Sequence, residues 1–159
     1  MTYNGTAGKL LVNGINTYTG STTISAGTLA INTATGLGTT GGATTVSSGG
    51  ALEISGGITV AEPITISGTG VSSGGAIAFT SGTNTYSGAI TLAADSTIKS
   101  TSGNQTISGA ITGAYAATIT ATDNLTLSGT IGATAPPTSL SVTTTCDTTC
   151  STASRAGVL

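Results

Sequence analysis

Charge is scarce in this chain. Of its 159 residues 5% are charged, three basic against five acidic, where an ordinary soluble domain carries about 25%. Histidine and tryptophan are absent, phenylalanine occurs once, tyrosine four times and cysteine twice. Without histidine, a histidine-based triad, an imidazole general base and a histidine metal ligand are all excluded. Three cations cannot lay down the basic footprint that a nucleic-acid backbone demands, so no nucleic-acid partner is expected. No apolar run approaches the ~20 residues of a membrane helix, and no membrane insertion by this chain is expected. The start, Met1-Thr2-Tyr3-Asn4-Gly5-Thr6, lacks the basic and apolar regions of a secretory signal.

What is present is glycine, 25 residues of it, with abundant serine and threonine around short apolar runs. Such a composition resembles a flexible linker. The mean hydropathy is nevertheless positive, whereas disordered chains join low hydrophobicity to high net charge. The apolar residues are mostly Ile, Leu and Val, alternating with Thr, and these residue types favour strands. The length suits one domain.

The order of the phrases is repetitive. Ala26-Gly27-Thr28-Leu29-Ala30-Ile31 returns as Gly49-Gly50-Ala51-Leu52-Glu53-Ile54 and as Gly74-Gly75-Ala76-Ile77-Ala78-Phe79, with weaker copies around Ile98 and Ile119. The first apolar positions, Leu29, Leu52, Ile77, Ile98 and Ile119, are 23, 25, 21 and 21 residues apart. A second phrase precedes them: Thr22-Thr23-Ile24-Ser25, Thr44-Thr45-Val46-Ser47, Ile64-Thr65-Ile66-Ser67 and Ile90-Thr91-Leu92-Ala93. A third links Asn16-Thr17-Tyr18-Thr19-Gly20 to Asn84-Thr85-Tyr86-Ser87-Gly88, with later forms beginning at Asn104 and Asn124.

A repeat of this length with two or three short strands makes one turn around a narrow core, and successive turns stack about 4.8 Å apart through parallel hydrogen bonds. The fold class expected is all-β, a right-handed parallel β-helix of about five to six coils with Gly-rich corners. Residues 1–134 are assigned to the solenoid. Alternate side chains point inward, giving a core stack of Leu29, Ile31, Leu52, Ile54, Ile77, Phe79, Ile98 and Ile119. Thr28, Ala30, Glu53, Ala78 and Lys99 are expected to face water. An antiparallel sandwich does not require phrases to recur in one order, and a calcium β-roll would show a Gly-Gly-x-Gly-x-Asp nonapeptide, which is missing.

Residues Gly14 to Ile31 resemble the autotransporter-associated β-strand repeat. The continuation from Leu37 to Ile54 is similar to it, and Asn84 to Ile98 more loosely so. That resemblance implies a β-helical passenger segment of a bacterial surface or secreted protein, with a structural or adhesive role. It also implies an extracellular or cell-surface location, although the chain shows no export signal and no membrane barrel.

Composition changes at Ala135-Pro136-Pro137, where two prolines interrupt strand pairing. Residues 135–159 are read as a Ser/Thr-rich tail with one further candidate strand at Ser139–Thr143 and a Cys pair. Cys146 and Cys150 can close a small disulfide loop in an oxidising compartment, bridge to another chain, or stay as free thiols. Two thiolates do not complete a zinc site, and a redox motif is normally C-x-x-C. No metal and no cofactor is expected.

Carbohydrate-cleaving enzymes also use β-helices, and glycoside cleavage needs two carboxyl groups facing one groove. Glu53, Glu62, Asp95, Asp123 and Asp147 are read as solvated surface carboxylates, and no catalytic residue is assigned. Regular Thr-x-Thr ladders of the ice-ordering kind are also missing. A coil at the end of a stack leaves unpaired strand edges, and little charge keeps copies apart. The expected function is an extracellular structural rod, from a surface adhesin or a self-assembling fibre. Its expected partners are other copies, end to end, and a host or matrix surface ligand. The competing expectation is a carbohydrate-acting or carbohydrate-binding module.

Overall fold

The structure is a computed structural model and describes residues 1–145. Cys146, Asp147, Cys150 and Arg155 lie outside the described residues, so the disulfide reading is not placed. Every strand pairing is parallel. The chain is therefore a parallel β-solenoid.

Three faces run along it. The longest unbroken face stacks β1 (Thr2–Val12), the second half of β2 (Thr22–Ile31), β4 (Gly50–Ile54), β7 (Ile77–Phe79), the second half of β9 (Ile90–Ser100), β12 (Ala116–Ala121) and β14 (Ser139–Thr144). A second face stacks the first half of β2 with β3 (Thr44–Val46), β6 (Ile64–Gly68), the first half of β9 and β11 (Ile111–Thr112). The third holds β5 (Thr59–Val60), β8 (Thr85–Tyr86), β10 (Gln105–Ile107) and β13 (Leu125–Leu127). Strands β1, β2 and β9 each belong to two faces, β1 through Thr2 and Tyr3 beside Thr23 and Ile24. In β2 the chain turns the corner at Gly27, whose φ of 77° favours a residue without Cβ.

The period-two alternation of the repeats becomes columns of buried side chains. Leu29, Leu52, Ile77, Ile98 and Ile119 stand in register, extended by Leu10 at one end and Val142 at the other. The stack thus has seven rungs on this face rather than five to six. Of the two added rungs, β1 carries a form of the first phrase at Ala7-Gly8-Lys9-Leu10-Leu11-Val12, with Lys9 to Val12 in register with Thr28 to Ile31, and β14 lacks it. A neighbouring column runs Ile31, Ile54, Phe79, Ser100, Ala121. Its largest member, Phe79, lies beside one of its smallest, Ser100, which keeps the volume of a narrow interior nearly constant. Leu29, Ile31, Leu52, Ile54, Ile77, Phe79, Ile98 and Ile119 are all buried in one cluster.

Two details differ from the sequence reading. Ala30 is 1% exposed: it lies between Leu11 and Glu53 on the outer face, under the longer side chains of its neighbours. The Asn residues at 84, 104 and 124 are not equivalent either. Thr85 pairs with Thr106, and Gln105 with Leu125. The column therefore runs Asn84, Gln105, Leu125, because the coil after Asn84 is one residue longer than the Asn spacing suggests.

Candidate functional site

The 25-residue spacing between Leu52 and Ile77 holds an insertion. After β6 the chain leaves the sheet, forms a short 3-10 turn at Val71–Ser73, and returns at Gly75. Ser72 and Ser73 both have positive φ, 49° and 60°, an uncommon conformation for residues with a Cβ. This loop roofs part of the outer face and leaves a cleft of about 240 Å³ lined by Thr28, Glu53, Ala78 and Lys99 on the strands, by Thr101 just after β9, and by Val71 and Gly75 on the loop. The roof explains why Thr28, Glu53, Ala78 and Lys99 are half-buried rather than fully in water.

Glu53 is held on two sides. Lys9 reaches over β2 from β1 to pair with its carboxylate, and Thr80 Oγ1 donates to the same oxygen at 3.1 Å. Lys99 is the second charged group of the cleft. One carboxylate and one ammonium among threonines suit binding of hydroxyl groups. Cleavage by a carboxylate pair would require a second acid in the cleft, and among the described residues Glu53 is the one carboxylate lining it.

The other acidic residues have separate tasks. Asp95 accepts a hydrogen bond from Ala116 N at 2.8 Å, and Asp123 from Gly103 N at 2.7 Å. Each is exposed and clips a backbone N–H of an adjacent coil. Glu62 departs most from the reading of a solvated carboxylate. It is 3% exposed, and neither carboxylate oxygen has a hydrogen-bond partner. Burial pushes its carboxyl above the ordinary range, while the nearby Thr44 hydroxyl acts the other way. Nothing in Ala61-Glu62-Pro63 signals this. The signal lies in the register, which sets Glu62 two residues before Ile64 just as Gly42 precedes Thr44 and Gly88 precedes Ile90.

The N-terminal rung is a third feature. Met1, Leu10, Leu11 and Ile15 are 40%, 41%, 50% and 83% exposed. Leu10 is the outermost member of the buried Leu29 column. Among the described residues β1 pairs with β2 alone, and β14 with β12 alone. Among the same residues no three acidic or sulfur side chains gather as a metal site, and no helix is long and apolar enough to cross a membrane.

These features define the class, a parallel β-solenoid with a roofed outer cleft and an apolar terminal rung. No protein-family profile, curated protein or solved structure matches the chain.

Proposed function

We propose that the chain is a non-enzymatic structural rod that works outside the cell, as part of a bacterial surface adhesin of the autotransporter passenger kind or as a subunit of a self-assembling fibre. The observation that carries this reading is the buried column from Leu10 to Val142, whose first member is 41% exposed. A parallel edge strand with an apolar column at its end is a template for another coil, supplied by a flanking segment or a second copy. Docking of one end on the opposite end is heterologous and does not close, so identical copies give an open filament. The resemblance of Gly14 to Ile31 and of Leu37 to Ile54 to secreted repeats supports the location, and a ligand on a host or matrix surface fits the adhesive role.

Electron microscopy of the purified chain tests the assembly. Regular unbranched filaments are expected, and a Leu10→Lys, Leu11→Lys variant is expected to remain as discrete particles, because two ammonium groups on the terminal rung disfavour burial. Discrete particles from the unaltered chain would overturn the fibre form of the proposal.

The roofed cleft supports a second reading, a carbohydrate-binding module. Here calorimetry with a panel of neutral oligosaccharides would find a ligand whose affinity falls about tenfold in Glu53→Gln, the loss of roughly one charge-assisted hydrogen bond. No heat with any member of the panel would remove this reading.

A further inference from the structure

One corner of the solenoid is a column of glycines. Register places Gly20, Gly42, Gly88, Gly109 and Gly129 each two residues before the inward positions Thr22, Thr44, Ile90, Ile111 and Ile131. The coils approach so closely that a Cβ on Gly88, Gly109 or Gly129 would fall on the carbonyl oxygen of the residue one coil below. The equivalent position in the remaining coil is Glu62. A long ionisable side chain thus occupies a corner that is built elsewhere without any side chain, so the geometry of the corner does not explain it.

Its surroundings are nearly dry. The carboxyl group is covered, and both oxygens lack partners. Facing it is Thr44 Oγ1, on a residue 0% exposed and equally without a partner. Tyr86 closes the other side, donating its hydroxyl to the Glu62 backbone oxygen at 2.8 Å. Among the described residues Tyr86 is the titratable group that faces Glu62, and burial together with the Glu62 carboxylate raises its phenol well above the usual value. Among the described residues no cation faces the site to compensate a charge.

We propose that Glu62 is a proton-binding site inside the solenoid: as a neutral acid it lets the covered corner between β5 and β6 stay closed, and on ionising it loosens that corner. The Thr44 hydroxyl can donate to either form after a slight side-chain rotation, and that bond favours the ionised one. What opposes ionisation is the cover over both oxygens, which keeps water from the charge, with no cation among the described residues to offset it. Backbone bonds from Thr44 N to Pro63 O at 2.9 Å and from Ile64 N to Ala89 O at 2.8 Å tie this corner to the coils on either side. Loosening therefore spreads along the rod.

In the unfolded chain the group titrates near the ordinary 4.5, and in the fold it keeps its proton to higher pH. Its stabilising contribution is complete below the ordinary value and is lost as pH rises through the raised one. Melting curves of the unaltered chain and of Glu62→Gln across roughly pH 4 to 8 read this directly. The unaltered chain is expected to lose roughly 2–4 °C or more over that range, a loss that Glu62→Gln lacks. Parallel curves would overturn the proposal.

A second readout needs no variant of Glu62. The sequence holds two glutamates, Glu53 and Glu62, so a chain labelled with ¹³C-glutamate gives two side-chain carboxyl resonances, and Glu53→Gln assigns them. One is expected to titrate clearly above the ordinary value. Both titrating at or below it would overturn the proposal, whatever the melting curves show.

Discussion

Gly109→Ala is expected to cost about 3 kcal/mol or more, a large part of the 5–15 kcal/mol that holds a typical domain together. The added Cβ would land on the carbonyl oxygen of Gly88, with the Gly88 carbonyl carbon at 2.6 Å and the Ser87 oxygen at 3.1 Å. These are backbone atoms of a paired coil, so no side chain can swing away. Gly109 N donates to Tyr86 O at 3.1 Å, and Ser108 N to the same oxygen at 2.9 Å. Separating the coils to admit the methyl group would break both. Two other glycines isolate the alternatives. Gly14 has nothing within 4 Å of a Cβ, so Gly14→Ala should be neutral or stabilise by up to about 1 kcal/mol through the unfolded chain. Gly49 is equally open but has φ of 91°, so Gly49→Ala should cost only the backbone strain, about 1–2 kcal/mol. Denaturant midpoints of the three variants should rank Gly14→Ala above Gly49→Ala above Gly109→Ala. A Gly109→Ala midpoint equal to that of the unaltered chain would show that the coils are not stacked this closely.

The same column marks the boundary of what local sequence can reveal. Strands carrying the recurring phrases could be aligned by their first apolar residues, and Leu29, Leu52, Ile77, Ile98 and Ile119 do stand over one another. Phrase matching works there because every coil from β2 to β12 places Leu or Ile at that inward position. It fails where a position is defined by a neighbouring coil. The terminal rung β14 stacks on β12 without the phrase. Ala30 is covered by neighbours on other coils, and Glu62 is buried by where the stack sets its corner. The roof over Glu53 and Lys99 left a trace in the sequence, the 25-residue spacing, but spacing does not say on which side an insertion folds. Asn84 and Asn104 look alike as letters, yet a single extra residue in the intervening coil moves Gln105 into the equivalent place.

That displaced equivalence produces the second large effect. Asn84 is 0% exposed and Gln105 is 1% exposed, and together they replace missing backbone partners at the corner before β8 and β10. Asn84 Oδ1 accepts from Gly57 N at 2.9 Å and Ile58 N at 3.0 Å. Its Nδ2 donates to Ser81 O at 2.9 Å and to Gln105 Oε1 at 3.0 Å. Gln105 Oε1 also accepts from Asn84 N at 3.0 Å, while Gln105 Nε2 donates to Gly82 O and Ser102 O, each at 2.8 Å. Two side chains thus join three coils.

Asn84→Asp preserves size and shape and reverses one half of this pattern. One oxygen of the introduced carboxylate keeps the Gly57 and Ile58 donors. The other faces Ser81 O and Gln105 Oε1, which can only accept. At neutral pH the variant is expected to lose about 3 kcal/mol or more. Protonation restores one donor, so the carboxyl holds its proton to higher pH in the fold than in the unfolded chain. Stability should therefore recover as the pH falls through that raised value. Asn84→Ala should lose a similar amount without any recovery in acid. Gln105→Leu should cost less, about 1–2 kcal/mol, because Leu125 already fills the same column one coil on. In a double-mutant cycle, Asn84→Ala and Gln105→Leu should couple by about 0.5–3 kcal/mol, since they share a hydrogen bond. Thermal unfolding at several pH values measures all of these. An Asn84→Asp variant as stable as the unaltered chain at neutral pH, with no gain in acid, would mean that the amide ladder does not hold these coils together.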